Sequence, residues 1–552
     1  MFKGRKRVLL CFLILSIWIF MIIAGMYKYM GVEMMHSENS FLFTDNSRTN
    51  MVRSKYLNEI FKSCTDFSDI VAKSEGGRYE DFILKGVIVL SRHGDRGPLS
   101  YVHGIESVDC GVKDPLLTIY MEFLTNWTHT LWPQPGAFHS FPLLPSSITS
   151  CQLGQLTFKG ITQHLKLGKV LNDVYGKVLF SSNSNEIKGS TFTADDILVV
   201  STKYRRTFQS AMALMFNIVP NHVWTHLNVK ESLSISFCFI DCACPSSDYY
   251  KKLLALELKK NFQNQPHMQK IVKLLSYTLI DSKDASVSDL RDALLSFLCH
   301  KASLPCKNFV QSNWNNLRMS HQRSLQTMDP KLSNYIINID QDDKPKGVEA
   351  YDDLTDVYNN SYENDDTEKC INPEHVSMLF SYLYEDKKRQ LQSLNNNIIS
   401  ILKAYGLIKN IVQKMLAIVS NNKPKLIVYS GHDKTLQYLA TALGFGDDIL
   451  FVPYASRIIF ETYLRRQSNV DIYSDVLPKE YYFRILYNGE DVTKKLIFCR
   501  GDKSTMNRRQ DSKGQSRESY FCPIEYIVRY IHDDYFVSLN STNYKDACMG
   551  HS

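Results

Sequence analysis

Gly86-Val-Ile-Val-Leu-Ser-Arg92-His93-Gly94-Asp95-Arg96-Gly97-Pro98 is the stretch on which the reading of this chain turns. Val87 to Leu90 is an unbroken apolar run rich in β-branched residues, the pattern of a strand buried on both faces of a parallel sheet. It stops at Ser91. The following residues set two arginines around a histidine, supply a glycine where the backbone must turn, and close on Gly97-Pro98. In open α/β sheets ligands bind beyond the carboxyl ends of strands, where this cluster falls. Two guanidinium forks beside an imidazole suit a phosphate dianion with a nucleophile at its centre. A lone histidine would read as part of a solvated loop; the whole Arg-His-Gly-x-Arg-x-Pro string after an apolar strand does not.

Two further runs have the same character. Ile197-Leu-Val-Val-Ser201 leads into Thr202-Lys-Tyr-Arg205-Arg206-Thr207, which opens a helix. Lys425-Leu-Ile-Val-Tyr429 ends in Ser430-Gly431-His432-Asp433, and Thr435 to Leu443 has helical periodicity with Leu436, Leu439, Ala440 and Leu443 inward. His432 and Asp433 thus sit where a strand meets a helix amino terminus, a natural anion site. Between the first two runs, Thr157 is placed to cap a helix whose Ile161, Leu165 and Gly168 share a face. His164 reads as a surface residue of that helix.

These residues resemble the histidine acid phosphatases of the histidine phosphatase superfamily. The likeness lies in Arg92-His93-Gly94-x-Arg96-x-Pro98, in Gly154-x-Leu156-Thr157-x-x-Gly160-x-x-Gln163, in Ser201-Thr202-x-x-x-Arg206-Thr207 and in His432-Asp433. It implies an α/β fold with a mostly parallel central sheet flanked by helices, and phosphoryl transfer to a histidine and then to water, with no cofactor and no metal. His93 would be the nucleophile, Asp433 the proton donor, and Arg92, Arg96, Arg206 and His432 the phosphate ligands. Arg205 would be a solvated neighbour, since adjacent helical residues do not share a face. Many members carry a further arginine before the Ser-Thr pair, where this chain has Val200. Within the family the resemblance is strongest to members that remove the 2-phosphate from xylose in the glycosaminoglycan–protein linkage region, type II membrane proteins of the Golgi. It runs through Ser91–Leu99, Gly154–Gly168, Phe237–Pro245, Arg457–Glu461, Arg484–Thr493 and Tyr544–Cys548. A broad acid phosphatase or inositol-phosphate phosphatase on the same scaffold is the second reading. A catalytically inactive lumenal binding or scaffold protein is the third.

Composition narrows the setting. The chain has 552 residues and a formal charge of +7, but Lys3, Arg5, Lys6 and Arg7 supply four of those charges. The remainder is close to balance, which argues against a nucleic-acid partner. Residues 8–27 are uncharged and apolar, long enough at about 1.5 Å per residue to cross a hydrocarbon core. Four preceding cations keep the amino terminus cytosolic. A cleaved signal peptide is the alternative, but its apolar region is shorter as a rule. Cys11 lies in that run; the other twelve of the 13 cysteines are an even set, as expected of disulfides in an oxidising lumen. Cys238-x3-Cys242-x-Cys244 matches no standard zinc spacing. Sequons at Asn126, Asn359 and Asn540 are glycosylation candidates.

The expected organisation is a cytosolic tail (1–7), a transmembrane anchor (8–27), a polar stem (28–80) and an α/β domain in two parts, 81–225 and 396–552. An α-helical cap (226–395) is inserted between the parts. Within the cap, Met268, Ile271, Val272 and Leu275, then Leu290, Leu294, Phe297 and Leu298, form core stripes, and a Ser288-Asp289 pair is expected to start the second helix. Residues 340–369 hold eleven acids against three lysines and read as a disordered insertion. The proline-rich stretch 99–150 is expected to wrap over the mouth of the site rather than join the core. Arg457–Tyr463 and Tyr481–Tyr487 read as edge strands. The arginine-rich 500–518 reads as an exposed loop, with Cys499 and Cys522 suspected to bridge around it. The partners expected are a phosphorylated glycan or other phosphomonoester, and a membrane through the anchor.

Overall fold

The computed structural model describes residues 55–77, 79–127, 131–180, 193–239, 242–280, 282, 285–307, 369–466, 479–510 and 516–550. The apolar run 8–27, Asn359 and all but the last residue of 340–369 lie outside them. Among the described residues no helix is long and apolar enough to cross a membrane.

Eight strands form the main sheet: β1 (Phe82–Arg92), β2 (Ile197–Thr202), β3 (Val229–Ser232), β4 (Leu426–Gly431), β5 (Arg457–Arg465), β6 (Tyr481–Tyr487), β7 (Thr505–Gln510) and β8 (Ser516–Pro523). Their spatial order is β7-β8-β6-β5-β1-β4-β2-β3, and Glu490–Asp491 adds a short strand to β6. The pairs β1/β4, β4/β2 and β2/β3 are parallel, whereas β1/β5, β5/β6, β6/β8 and β8/β7 are antiparallel. The sheet is therefore mixed, a correction to the mostly parallel sheet expected. Its second half includes tight turns of the kind that only antiparallel strands can use. Asn488 and Gly489, at φ of 45° and 82°, make one of them.

The same half corrects two further expectations. β5 and β6 are interior strands, because residues 505–510 and 516–523 pair as a hairpin and extend the sheet beyond them. The Cys499–Cys522 disulfide pins that hairpin, so residues 505–510 and 516–518 of the expected exposed loop are strand. At the other edge, β3 places residues 229–232 in the sheet rather than in the inserted cap.

The longer helices among the described residues complete the frame: α1 (Lys55–Cys64), α2 (Pro115–Asn126), α3 (Phe158–Leu171), α4 (Arg205–Phe216), α5 (Pro245–Gln263), α6 (Pro266–Leu279), α7 (Val287–Cys299), α8 (Pro373–Gln392), α9 (Leu394–Asn421) and α10 (Asp433–Leu443). Alternation along β1 sends Ile88 and Leu90 to one face, against Leu402, Met415 and Leu439 of α9 and α10. Val87 and Val89 go to the other, against Ile161, Leu165, Phe208 and Met212 of α3 and α4. That second core also holds Leu117, Tyr120, Trp132, Phe138 and Leu143. The stretch 99–150 thus contributes to the core, contrary to expectation, because α2 lays an apolar face on α3. A third core gathers α1, α6, α7 and α8 around Leu275, Leu290, Leu294 and Leu379. Ser286, not Ser288, caps α7, with Asp289 closing the capping box.

Residues 55–77, expected in the stem, are built into the fold. Cys64 is bonded to Cys299, Thr65 Oγ1 donates to the Tyr454 carbonyl, and Glu75 pairs with buried Arg457. All twelve cysteines after Cys11 are paired; Cys238 bonds Cys242 and Cys244 bonds Cys548, so none of these three offers a thiolate. Six disulfides belong to an extracytoplasmic domain. Asn126 and Asn540 are exposed.

One buried ionic cluster welds this segment to the antiparallel half. Glu461, fully buried, accepts from Arg484 Nε, from Tyr175 (2.5 Å), from Tyr463 (2.8 Å) and from the Gly76 N–H (2.8 Å). Glu461→Gln leaves the Arg484 guanidinium in the interior without its countercharge and is expected to cost about 3–5 kcal/mol of stability. Denaturation midpoints with the disulfides intact check this; a cost below about 1 kcal/mol is what a solvated pair would give.

Candidate active site

Strand register assembles the site. β1 and β4 are parallel neighbours with Arg92 opposite Gly431, so the next residue of each strand, His93 and His432, emerge side by side. The His93 N–H donates to the Gly431 carbonyl at 3.0 Å, and the two imidazoles lie 5.5 Å apart at 76°. On the far side of β4, Ser201 of β2 stands opposite Ser430, bringing Thr202 to the same rim. Three carboxyl-terminal strand ends therefore converge on one point.

Hydrogen bonds fix the proton positions of both rings. His93 Nδ1 lies 2.8 Å from the Gly94 carbonyl, which only accepts, so Nδ1 carries the hydrogen and Nε2 keeps its lone pair. Thr202 donates its hydroxyl to Thr207 (2.9 Å), and its oxygen accepts from His432 Nε2 at 3.0 Å. Burial, then the charges of Arg206 and Arg92, push the His93 imidazolium well below its usual 6.5. The same causes push His432 down to about 3.

Around the rings stand the three arginines. Arg92 lies over the Tyr454 ring at 4.1 Å and donates from Nη1 to the Val452 carbonyl at 2.5 Å. Arg96 makes a bidentate pair with Asp292 of α7 at 2.8 and 3.2 Å. Arg206 stacks on Tyr204 at 4.5 Å and donates to the Gly154 carbonyl at 3.3 Å. The Nε–H of each is buried with no acceptor among the described residues. An unmatched buried donor costs about 1–3 kcal/mol, and three such guanidinium groups, all near enough to act electrostatically on both imidazoles, suit the oxygens of an anion. Arg205 is exposed.

Asp433 occupies the first turn of α10, its Oδ1 accepting from the Lys434 N–H at 2.8 Å. Burial alone would raise its carboxyl, but Arg92, the Lys434 amide, Arg291 and Arg96 outweigh burial and hold it well below the usual carboxylate range. All six residues singled out from the sequence, Arg92, His93, Arg96, Arg206, His432 and Asp433, thus meet around one basic hollow.

The loop that carries three of them is held from beneath and from the side. Gly94 and Gly160 meet backbone to backbone: a Cβ on Gly94 would lie 2.3 Å from the Gly160 oxygen. Asp95 takes the Thr157 hydroxyl at 2.6 Å and His300 Nε2 at 2.8 Å, both deeply buried. Gln163 accepts the Asp95 N–H at 2.8 Å. His164, expected at the surface, is fully buried, because α3 is covered by the loop at Gly160 and by α4 at Gly168. Burial pushes its imidazole down to about 4. Sequence reasoning also missed Tyr204, Arg291, Asp292, His300, Lys387 and Tyr454. Tyr204 lay inside a quoted motif; the others reach the site only through tertiary packing. Cys110, Cys151 and His300 lie close together, but the two sulfurs are bonded to each other.

The chain is 27% identical over 488 residues to 2-phosphoxylose phosphatase 1 of Xenopus tropicalis, spanning 86% of this chain and 79% of that protein. Identity to the protein of the same name from Homo sapiens is 26% over 490 residues, spanning 86% and 83%. Among solved structures, the phytase from D. castellii aligns over 89% of this chain and 87% of its own, at 14% identity and a TM-score of 0.40. Residues 83–488, which run from β1 through the His432–Asp433 joint to the end of β6, match the histidine phosphatase superfamily (branch 2), and the chain belongs to that family of histidine acid phosphatases, hydrolases of phosphomonoesters.

Proposed function

We propose that the chain hydrolyses phosphomonoesters through a phosphohistidine on His93, and that its substrate is the 2-phosphate of xylose in the glycosaminoglycan–protein linkage region. The observation that carries the chemistry is a neutral His93 whose Nε2 keeps its lone pair, beside three guanidinium groups whose Nε–H lacks an acceptor among the described residues. Nε2 attacks phosphorus, the P–O bond to the alcohol breaks, and Asp433 gives the departing oxygen its proton. The Asp433 carboxylate then takes a proton from water, whose oxygen attacks phosphorus and breaks the P–N bond. Arg92, Arg96 and Arg206 hold the equatorial oxygens throughout, while the neutral His432 ring stands against the nucleophile as the fourth wall of the site.

The depressed Asp433 is compatible with its work as an acid. A phosphomonoester monoanion, with a second pKa near about 6, brings its own proton, and its charge offsets the arginines that keep the carboxylate ionised. Activity is therefore highest where the monoanion is present, on the acid side of neutrality. None of these steps calls for a metal.

The substrate reading rests on the named relatives and on the lumenal character of the chain: six disulfides, exposed sequons and an apolar run at 8–27 that would anchor it in the Golgi membrane. Part of the shared blocks is architectural. Phe237 packs on Gly431, and Arg457 and Glu461 belong to the buried ionic contacts. The full-length protein in detergent is expected to release phosphate from a 2-phosphoxylosyl linkage oligosaccharide with a kcat/KM at least about tenfold above that on inositol hexakisphosphate. The reverse ranking would assign it to the inositol-phosphate phosphatases.

A further inference from the structure

We propose that Arg291 and Lys387 form a second anion subsite beside the phosphate pocket, one that takes a carboxylate or a second phosphate carried on the alcohol half of the substrate. The inference rests on the phosphatase reading of the site and adds to it a substrate class, phosphomonoesters with a further negative group.

The two side chains come from different helices of the third core and meet at the same place. Arg291 precedes Asp292, the partner of Arg96, in α7. Its guanidinium lies 4.8 Å over the Phe451 ring, adjacent in sequence to Val452, whose carbonyl receives Arg92. Lys387 of α8 donates to Gln437 at 2.9 Å and to Gln390 at 2.7 Å. Gln437 is four residues after Asp433 on α10, hence on the same helical face. Both cations therefore stand on the Asp433 side of the pocket, the side from which the alcohol departs.

Neither has a carboxylate of its own. Among the described residues no ion pair joins Arg291 or Lys387 to an acid, although both are half-buried. Burial pushes Lys387 down to about 8; Asp433 opposes that, while Arg291 and Lys434 add to it. Arg291 is likewise depressed by burial and then by Arg92, with Asp433 again the leading opposing charge. Asp433 is thus the leading countercharge of both Arg291 and Lys387, whereas Arg96 has Asp292 as its own partner. A phosphate dianion satisfies the arginines around His93. Arg291 and Lys387 lie outside that ring, and holding them half-buried without an acid is costly unless a ligand supplies the charge.

A matched set of substrates tests this: glucose 1-phosphate, glucuronate 1-phosphate and glucose 1,6-bisphosphate, which differ only in the group at carbon 6. Release from carbon 1 by the full-length protein is expected to show a kcat/KM about tenfold or more higher for at least one charged substrate than for glucose 1-phosphate. The better of the two identifies the anion as carboxylate or phosphate. Arg291→Gln and Lys387→Met should each bring that ratio toward one, while Arg291→Lys and Lys387→Arg should keep most of it, which a purely structural role would not do. A ratio near one in the native protein, or one unchanged in both neutral variants, overturns the subsite. Hydrolysis of nitrophenyl phosphate by the same preparation separates the two failures. If that is absent, the phosphatase reading falls and takes the subsite with it; if it is present, only the subsite falls.

Discussion

His93→Ala is expected to fold and to lose phosphatase activity by on the order of 10⁴-fold or more in kcat, on nitrophenyl phosphate and sugar phosphates alike. The loss should not depend on the leaving group, because it removes the atom that attacks phosphorus in every case. Folding should survive because the ring's hydrogen bond is local, from Nδ1 to the carbonyl of the next residue, while the loop itself is held by Asp95, Gln163 and Gly94. The native protein carries a companion signature in its pH dependence. A histidine titrating at about 6.5 would lose its neutral form by about 25-fold between pH 7 and pH 5. His93 is held well below that value by burial and by Arg206 and Arg92, so the rate on nitrophenyl phosphate should not fall over this interval. Steady-state rates on both substrate types, with thermal denaturation as the control for folding, decide the matter. Activity of the variant within about tenfold of the native protein would show that another group attacks phosphorus.

The parts of this molecule legible from sequence are those whose physics is local. Val87 to Leu90, Ile197 to Val200 and Leu426 to Tyr429 are covered on both faces, so each reads as a continuous apolar run, and each is a central parallel strand. The residues around the hollow follow those runs at once, which is why one strand end after another could be named in advance. The antiparallel half was harder. Its interior holds Arg457, Glu461, Arg484 and Glu75, and a charged residue in a strand reads as solvent-facing unless its partner is known. Here the partners come from segments far away in the chain, 461 with 484 and 75 with 457. The hairpin of β7 and β8 is arginine-rich and was mistaken for a loop for the same reason.

Around the site the boundary between legible and hidden is equally physical. His164 was misplaced because periodicity assumes a helix with one wet face, whereas α3 is covered on opposite sides. Asp292, Arg291 and Lys387 sit on helices whose apolar stripes, Leu290 to Leu298 and Val376 to Leu383, were or would be read as packing. Their charged residues fall on the other face, which a sequence assigns to water. In the fold that face is turned toward Arg96, Phe451 and Gln437, and nothing in the spacing of α7 or α8 announces it.

Asp433→Asn should separate leaving groups that the nucleophile variant does not. A sugar alcohol departs as a strongly basic alkoxide and needs a proton in the transition state, whereas nitrophenolate is stable without one. The expected loss is therefore about 10²–10⁴-fold in kcat on a phosphoxyloside, against about tenfold or less on nitrophenyl phosphate. Asparagine keeps the carbonyl oxygen that accepts the Lys434 N–H, so the turn into α10 should hold. The substitution also removes a negative charge that faces Arg92, Arg291 and Arg96, leaving the pocket more positive toward a phosphate dianion. KM should then stay level or fall while kcat drops, a split that loss of structure could not produce, since a disordered site would bind its substrate less well. The second half-reaction adds a further mark. Without the carboxylate to deprotonate water, phosphohistidine should persist longer on the variant, and rapid-quench labelling with nitrophenyl phosphate should find more phosphoprotein than in the native enzyme. Equal losses on the two substrates, with KM raised on both, would remove Asp433 from the role of acid and make it a structural neighbour of the arginines.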